Sequence, residues 1–432
     1  MTRAVSPRPP TRSARKSATR QNILRAAWDL FASQGFSRTS LREIAAESGI
    51  THAALARHFD SKAAVLEELI DAITRENEEW WKTVSDPSRP LRFAEIARHN
   101  AHDPAYVALY TALAGEAGAL EHPAHSRMTA HYAQLRVDGA RGFEAGIASG
   151  QIRSDISPGP ESTRLAAAWD GLQLISLYLP DRTDIAASLE KRERFLGTID
   201  HTQVATTPPT RGSLVRTIAT GESQLRPGDS GYANGRRRRS QIETEAANLF
   251  ALRGFTGTTM QSIADASGVP KPTLFHHYPS KLDLLVAVME PPAKCDNSSA
   301  ADFDTLAAEK VIRALAAELD DEDGAGRRTA ELYSILSCEA SPNGHPAHGY
   351  FRNRFARTLA SLEQAFSALR GQGAPPADFD APHEALWLTA LRDGLLLQRM
   401  YAPQFIDVQQ HIDEHLASLG VKGTRSRVEA LE

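Results

Sequence analysis

The side chains best suited to chemistry cluster twice in this chain. ALARHFDSK at 54–62 and TLFHHYPSK at 273–281 share Leu, the second His, Ser and Lys at matching places. Both stretches sit in basic islands. Residues 1–62 hold 11 Lys and Arg against 4 Asp and Glu, and 236–281 hold 7 against 3, although the whole chain carries −4. Local positive charge is what binds phosphate, whatever the overall sign. HPAH, at 122–125 and again at 345–348, sets two His three residues apart, a spacing able to hold a metal on one helix face. No Cys, Asp or third His accompanies both copies at fixed spacing, so it reads as a helix start with Pro at the first position. The sequence offers no Ser/His/Asp or Cys/His constellation, glycine-rich phosphate loop or metal cluster. An enzyme is not expected, nor is a cofactor or metal.

What positions the basic islands is a repeat. Shifted by 219, residues 20–62 align with 239–281 without a gap, and 17 of 43 positions are identical, among them Ile23/Ile242, Phe31/Phe250, Gly35/Gly254, Thr39/Thr258 and Lys62/Lys281. The likeness resumes at an offset of 223, where ALYTALAGEAGALEHPAH at 108–125 matches ELYSILSCEASPNGHPAH at 331–348, and WDGL at 169–172 matches RDGL at 392–395. A period this long is a duplicated domain set, since solenoid repeats are far shorter. The Thr, Pro, Gly and Ser of 200–235 read as a linker. A chain of 432 residues suits two domains or more. The divisions expected are a disordered basic arm over 1–16, a head over 17–77, a helical body over 78–199, the linker, a second head over 236–296, a second body over 297–420 and a tail over 421–432.

Each copy reads as helical. Ile23, Ala26, Ala27, Leu30 and Phe31 recur on one helical face, and Gly35 stands where a left-handed residue would end it. Ser40 with Glu43 forms a capping box for a second helix, Gly49 breaks it, and Thr51 caps a third reaching about His58. Copy two repeats the scheme with Gly254, Thr259, Gly268 and a short helix from Pro270. A supporting helix followed by two short ones across a tight glycine turn is a helix-turn-helix pattern. The fold class expected is all-α. Thr51, His52, Ala53 and Arg57, with Lys271, Pro272, Thr273 and His276, then stand where base edges would be met. Ser40 and Thr259 can donate to phosphate while capping. RSARKSATR at 12–20 and RRRR at 236–239 lead into the first helices and could track phosphate or enter a minor groove.

The residues R20QNI23, L30F31, G35F36, T39, I44A45, G49I50 and L55ARHFDSK62 resemble the fingerprint of the TetR family of bacterial regulators. R239SQI242, L249F250, G254F255, T258, I263A264, G268V269 and L274FHHYPSK281 repeat it. The resemblance covers about 45 residues per copy and implies a DNA-binding three-helix head on an all-α, ligand-sensing body. It places His58, His277, Lys62 and Lys281 at phosphate-facing positions, with Phe275 and Tyr278 in the same DNA-contacting motif. Where the family commonly has a phosphate-touching Tyr, this chain has Ala56 and Phe275, neither of which can donate that bond. Dimerisation through the last two helices would use 161–179 with 183–196 and 381–401 with 404–418. Tyr110, Glu116, Trp169, Tyr333, Glu339 and Trp387 are the candidate lining of an effector cavity.

The expected function is therefore a DNA-binding transcriptional regulator, a repressor relieved by a small-molecule effector. The alternative is a degenerate regulator or interaction module whose first head no longer binds DNA. A linker of about 35 residues has an r.m.s. span of roughly 30–35 Å, close to the about 34–36 Å between successive half-sites. The copies could thus pair within one chain as a pseudo-dimer on an imperfectly palindromic duplex operator, with a homodimer of chains as the other arrangement. Two cysteines, no apolar run long enough for a membrane helix and no secretory pattern at the N-terminus point to a reduced, cytoplasmic setting.

Overall fold

The computed structural model describes residues 12–84, 91–197, 233–290, 308–312, 325–370 and 379–421. Among them, helices are the only regular structure apart from one isolated bridge between Ile152 and Gly197. The all-α expectation holds. The first copy comprises α1 (Arg12–Gln34), α2 (Leu41–Glu47), α3 (His52–Leu55), α4 (Lys62–Val84), α5 (Phe93–Asn100), α6 (Pro104–Glu116), α7 (His125–Ala148), α8 (Pro158–Tyr178) and α9 (Ile185–Leu196). The second comprises α10 (Ala233–Gly257), α11 (Met260–Ala266), α12 (Lys271–His277), α13 (Lys281–Met289), α14 (Ala325–Glu339), α15 (His348–Arg370), α16 (Ala381–Arg399) and α17 (Val408–Ser418). The linker expected over 200–235 lies outside the described residues up to 232, as does the tail from 422.

The heads are built by the repeated residues. Ile23, Ala27 and Phe31 of α1, and Ile242, Ala246 and Phe250 of α10, are wholly buried on one face of each helix. Gly35 (φ 83°) and Gly254 (φ 68°) turn the chain through the left-handed region that a side chain rarely tolerates. Each glycine carbonyl accepts a 2.8 Å bond from the buried Thr39 or Thr258 hydroxyl, which fixes the turn into the next helix. Ser40 with Glu43 and Thr259 with Ser262 close capping boxes. Thr51 accepts from the Ala54 amide at the start of α3.

Three local expectations change. The basic stretches 12–20 and 236–239 are helical, the opening turns of α1 and α10, so residues 12–16 are not a disordered arm. In HPAH the first three residues form a turn and the second His opens α7 or α15, so the helix does not start on Pro. His122 and His345 accept from the Ala124 and Ala347 amides, while His125 and His348 bond the Ala117 and Ala340 carbonyls at 2.8 and 3.1 Å. The first recognition segment is a four-residue helix, because from Arg57 the amides bond three residues back and Ala56–His58 tighten into a turn.

The two bodies meet along α8 and α16, and α6 meets α14 beside them. The contacts are reciprocal at the offset of 223, as in an isologous interface. Gly171 lies against the backbone of Ala390 and Gly394 against that of Ala167, so closely that a Cβ at either glycine would collide with main chain. Tyr178 donates to the Ser337 carbonyl, and Tyr401 to that of Ala114. Leu172, Ile175, Leu391 and Leu395 are completely buried around the crossing, each stabilising by about 1.5–3 kcal/mol. The expected bundle of the last two helices of each copy is thus centred on α8 and α16, while α9 packs chiefly on α5. Ion pairs join the copies at the edges, Arg164 with Glu414, Arg182 with Glu363 and Lys191 with Asp380.

Candidate nucleic-acid interface

Thr51, His52, Ala53 and Arg57 are exposed around α3, and Lys271, Pro272 and His276 are exposed on α12 with Thr273 half-buried. Buried Leu55 and Leu274 anchor the opposite faces of these segments. Phe275 is 41% exposed, an apolar ring among cations and hydroxyls. Ser40 and Thr259 are exposed at the starts of α2 and α11. Their hydroxyl oxygens accept from the Glu43 and Ser262 amides, while the Ser40 hydroxyl donates to the Glu43 carboxylate and the Thr259 hydroxyl to that of Ser262. His58 and His277 are half-buried. Burial, with Arg239, His276 and Arg238 nearby, pushes the His277 pKa below its usual value, so it meets a partner as a neutral ring.

Three residues expected on DNA are turned inward. Lys62 donates to the Phe36 carbonyl at 2.6 Å and Lys281 to those of Phe255 and Thr258 at 2.6 and 2.7 Å. Each ammonium also lies over a ring, Phe36 at 4.1 Å and Phe255 at 4.2 Å. Burial lowers both lysine pKa values. The carbonyls left without helical partners in the turn before the second helix capture these cations. Tyr278 is 4% exposed and donates its hydroxyl to Glu243 on α10. Arg20 is likewise committed, clamped on Glu68, the His58 carbonyl and the Phe59 ring.

Below the heads, the six candidate effector residues separate. Tyr110 lines a cavity of about 460 Å³ between α4, α6 and α7, with Leu66, Ile70, Leu109, Met128 and His131. Trp169 lines a different cleft, of about 950 Å³, where α5 and α8 meet the turn into α9. Tyr333 is buried and donates to Asp393 at 3.2 Å. Trp387, 2% exposed, packs against His383 and Arg192 in the core between the copies. Glu116 and Glu339 alone stay together, lining one cleft of about 1050 Å³ between the copies, and each also holds a head. Glu116 accepts from the Ser37 amide and hydroxyl, both at 2.9 Å. Glu339 accepts from the Phe255 amide at 2.6 Å and that of Thr256 at 2.8 Å. Both carboxylates sit against a left-handed glycine, so the chain reversal presents its amides to an anion. Burial raises the Glu116 pKa to about 7. Burial opposes ionisation of Glu339 too, but His345 and the two amides outweigh it and keep its pKa low.

Sequence reasoning did not find Leu66, Ile70, Met128 or His131 as cavity residues, or Arg20 as a clamp. The signal available for the cavity was the unequal size of residues matched at offset 223 along α7 and α15.

The model of bacterial regulatory proteins of the TetR family matches residues 23–69 and 242–288, the two segments that carry the heads. Both heads are TetR-type heads. The family head thus occurs twice in tandem, and helix-turn-helix regulators recur among the chain's relatives. The transcriptional activator FasR of Mycolicibacterium smegmatis is 43% identical over 53 residues, which are 12% of this chain and 24% of FasR. The repressor KstR2 of Rhodococcus jostii is 27% identical over 158 residues, 37% of this chain and 65% of KstR2. The chain therefore spans between about a quarter and just under two thirds of these curated relatives. Among solved structures, the SmeT–triclosan complex aligns at 22% identity with a TM-score of 0.37, covering 45% of this chain and 99% of that one. A regulator from Saccharomonospora viridis bound to choline aligns at 22% identity and TM-score 0.34, over 42% and 96%.

Proposed function

We propose that this chain is a sequence-specific transcriptional repressor of the TetR family acting as a covalent pseudo-dimer. Its two unequal heads grip one imperfectly palindromic stretch of duplex DNA, and a small molecule entering the helical body releases it. The observation that carries this reading is the pair of exposed recognition segments, each anchored on a head whose body meets the other through reciprocal contacts of α8 and α16. Helix α4 supports the release. It begins at Lys62, tied to the first head, and its Leu66 and Ile70 line the 460 Å³ cavity, so a ligand that shifts α4 tilts the head. No described helix is long and apolar enough to cross a membrane. The proposed setting is the cytoplasm.

The test is selection of genomic fragments by the full chain, then a mobility shift with light scattering on the selected site. The expected complex holds one 47.1 kDa chain per site of imperfect symmetry. A perfectly symmetric site set, or two chains per site, refutes the pseudo-dimer, and no selected DNA refutes the regulator. The brevity of α3 and Ala56 in place of a phosphate-touching Tyr favour a second reading, in which only the second head binds. Under that reading Lys271→Glu abolishes binding and Arg57→Glu leaves it unchanged.

A further inference from the structure

Among the described residues, the two bodies are not equally open. In the first, Tyr110 and His131 flank the cavity, with the Tyr110 hydroxyl 3.3 Å from His131 Nε2 and 3.4 Å from the Tyr132 hydroxyl. Residues 223 positions on occupy the corresponding space in the second body. Met128 corresponds to Phe351, His131 to Arg354 and Tyr132 to Phe355. Phe351 and Phe355 are 0% and 1% exposed, and their rings pack against Tyr333 at 5.8 and 6.4 Å. The Arg354 guanidinium covers the Tyr333 ring at 5.0 Å. Arg357, matching Gln134, ties α15 to Glu290 just after α13 at 2.9 Å. A flexible Met leaves room that a rigid ring and a long stacked arginine fill.

The lining also limits what can enter. Leu66, Leu69, Ile70 and Ile73 form an apolar wall from α4. Arg127 at the rim is paired with Asp71, and burial lowers the His131 pKa, leaving that ring neutral. Behind Tyr110 and Tyr132, Asp170 is engaged by the Gln398 amide of the second copy at 2.8 Å. The cavity thus offers a largely apolar surface with a neutral Tyr–His pair and the uncharged polar side chains of Thr74, Tyr106 and Gln134. Its volume suits a drug-sized molecule.

We propose that each chain takes one effector, in the first body alone, and that this effector is an uncharged molecule with an apolar frame and few hydrogen-bonding groups. The second body is a filled partner that receives the signal through α8 and α16. This inference rests on the effector reading above and deepens it by fixing the stoichiometry and the ligand class.

The test titrates the full chain with Nile red, an uncharged apolar dye bearing hydrogen-bond acceptors, and counts sites by equilibrium dialysis. One dye per chain is expected. The triple variant Met128→Phe, His131→Arg, Tyr132→Phe installs residues that the matching helix already accommodates, and should weaken binding at least tenfold. The reverse exchange, Phe351→Met, Arg354→His, Phe355→Tyr, should raise the count to two. Thermal melts of both variants by circular dichroism establish that they fold, and the two exchanges change the count in opposite directions, as general destabilisation would not. Two dyes on the parent chain, or one that survives the first exchange, overturn the single-site proposal while leaving the effector reading standing. No dye on the parent chain overturns both. An anionic naphthalene sulfonate should compete at least tenfold more weakly than an uncharged analogue, and equal competition overturns the ligand class.

Discussion

Replacing Glu339 with Ala tests whether the second head is held to its body by one carboxylate. The Phe255 and Thr256 amides follow the left-handed Gly254 and bond the Glu339 oxygens at 2.6 and 2.8 Å. Hydrogen bonds to a charged group contribute about 1.5–3 kcal/mol each. At about 1.4 kcal/mol per tenfold, each amide should exchange with solvent roughly 10–150-fold faster in Glu339→Ala. Glu339→Gln keeps an acceptor without the charge and should fall between. The Ser37 amide, held by Glu116 at 2.9 Å in the first copy, is the internal control and should change far less. Hydrogen exchange followed by NMR or mass spectrometry reads all three, and DNA affinity should fall alongside because the head loses its fixed orientation. Unchanged protection at Phe255 and Thr256, with the variant folded, refutes the latch.

Three further outcomes are expected. Lys271→Met should flatten the dependence of log affinity on log salt by about 0.9, whereas Lys281→Met should leave that slope alone and lower the melting temperature, because its ammonium is tied to the Phe255 and Thr258 carbonyls. Gly394→Leu should destabilise by the upper end of the roughly 1–3 kcal/mol for overpacking, or more, in chemical denaturation. Gly349→Ala, with open space around it, should not destabilise. Glu116 binds its proton more tightly folded (pKa about 7) than unfolded (about 4.3), so its contribution is present at low pH and is lost as pH rises through 7. Subtracting the stability–pH curve of Glu116→Gln from that of the parent should isolate this decline between about pH 4.5 and 7, and a flat difference refutes the assignment.

The heads were legible because their geometry is local. Ile23, Phe31, Gly35, Thr39 and Ser40 each act within a few residues, and their spacing carries the periodicity and the caps. The reciprocal crossing was legible only as a repeat, since nothing near Gly171 in sequence announces the backbone of Ala390 pressed against it. Lys62 was placed on phosphate by resemblance alone, and no local pattern announces the Phe36 carbonyl, 26 residues away, that its ammonium meets. Glu116 and Glu339 were picked out on two matching motifs, but their task depends on amides 79 and 84 residues away. The cavity required knowing which of two near-identical helices leaves space, a matter of side-chain volume at Met128 and Phe351 rather than of pattern.

Joining both halves in one chain removes a constraint that binds every symmetric pair. In a homodimer each substitution appears on both sides of the axis, so a contact between unlike residues must be satisfied twice or not at all. Here Asp170 meets Gln398, while the residue that Gln398 matches in the first copy is Ile175. Arg164 meets Glu414, while Arg164 matches Trp387. Such one-sided contacts also specify which half sits where, and an isolated half presented with its own copy would set Asp170 against Ile175 with no amide to receive.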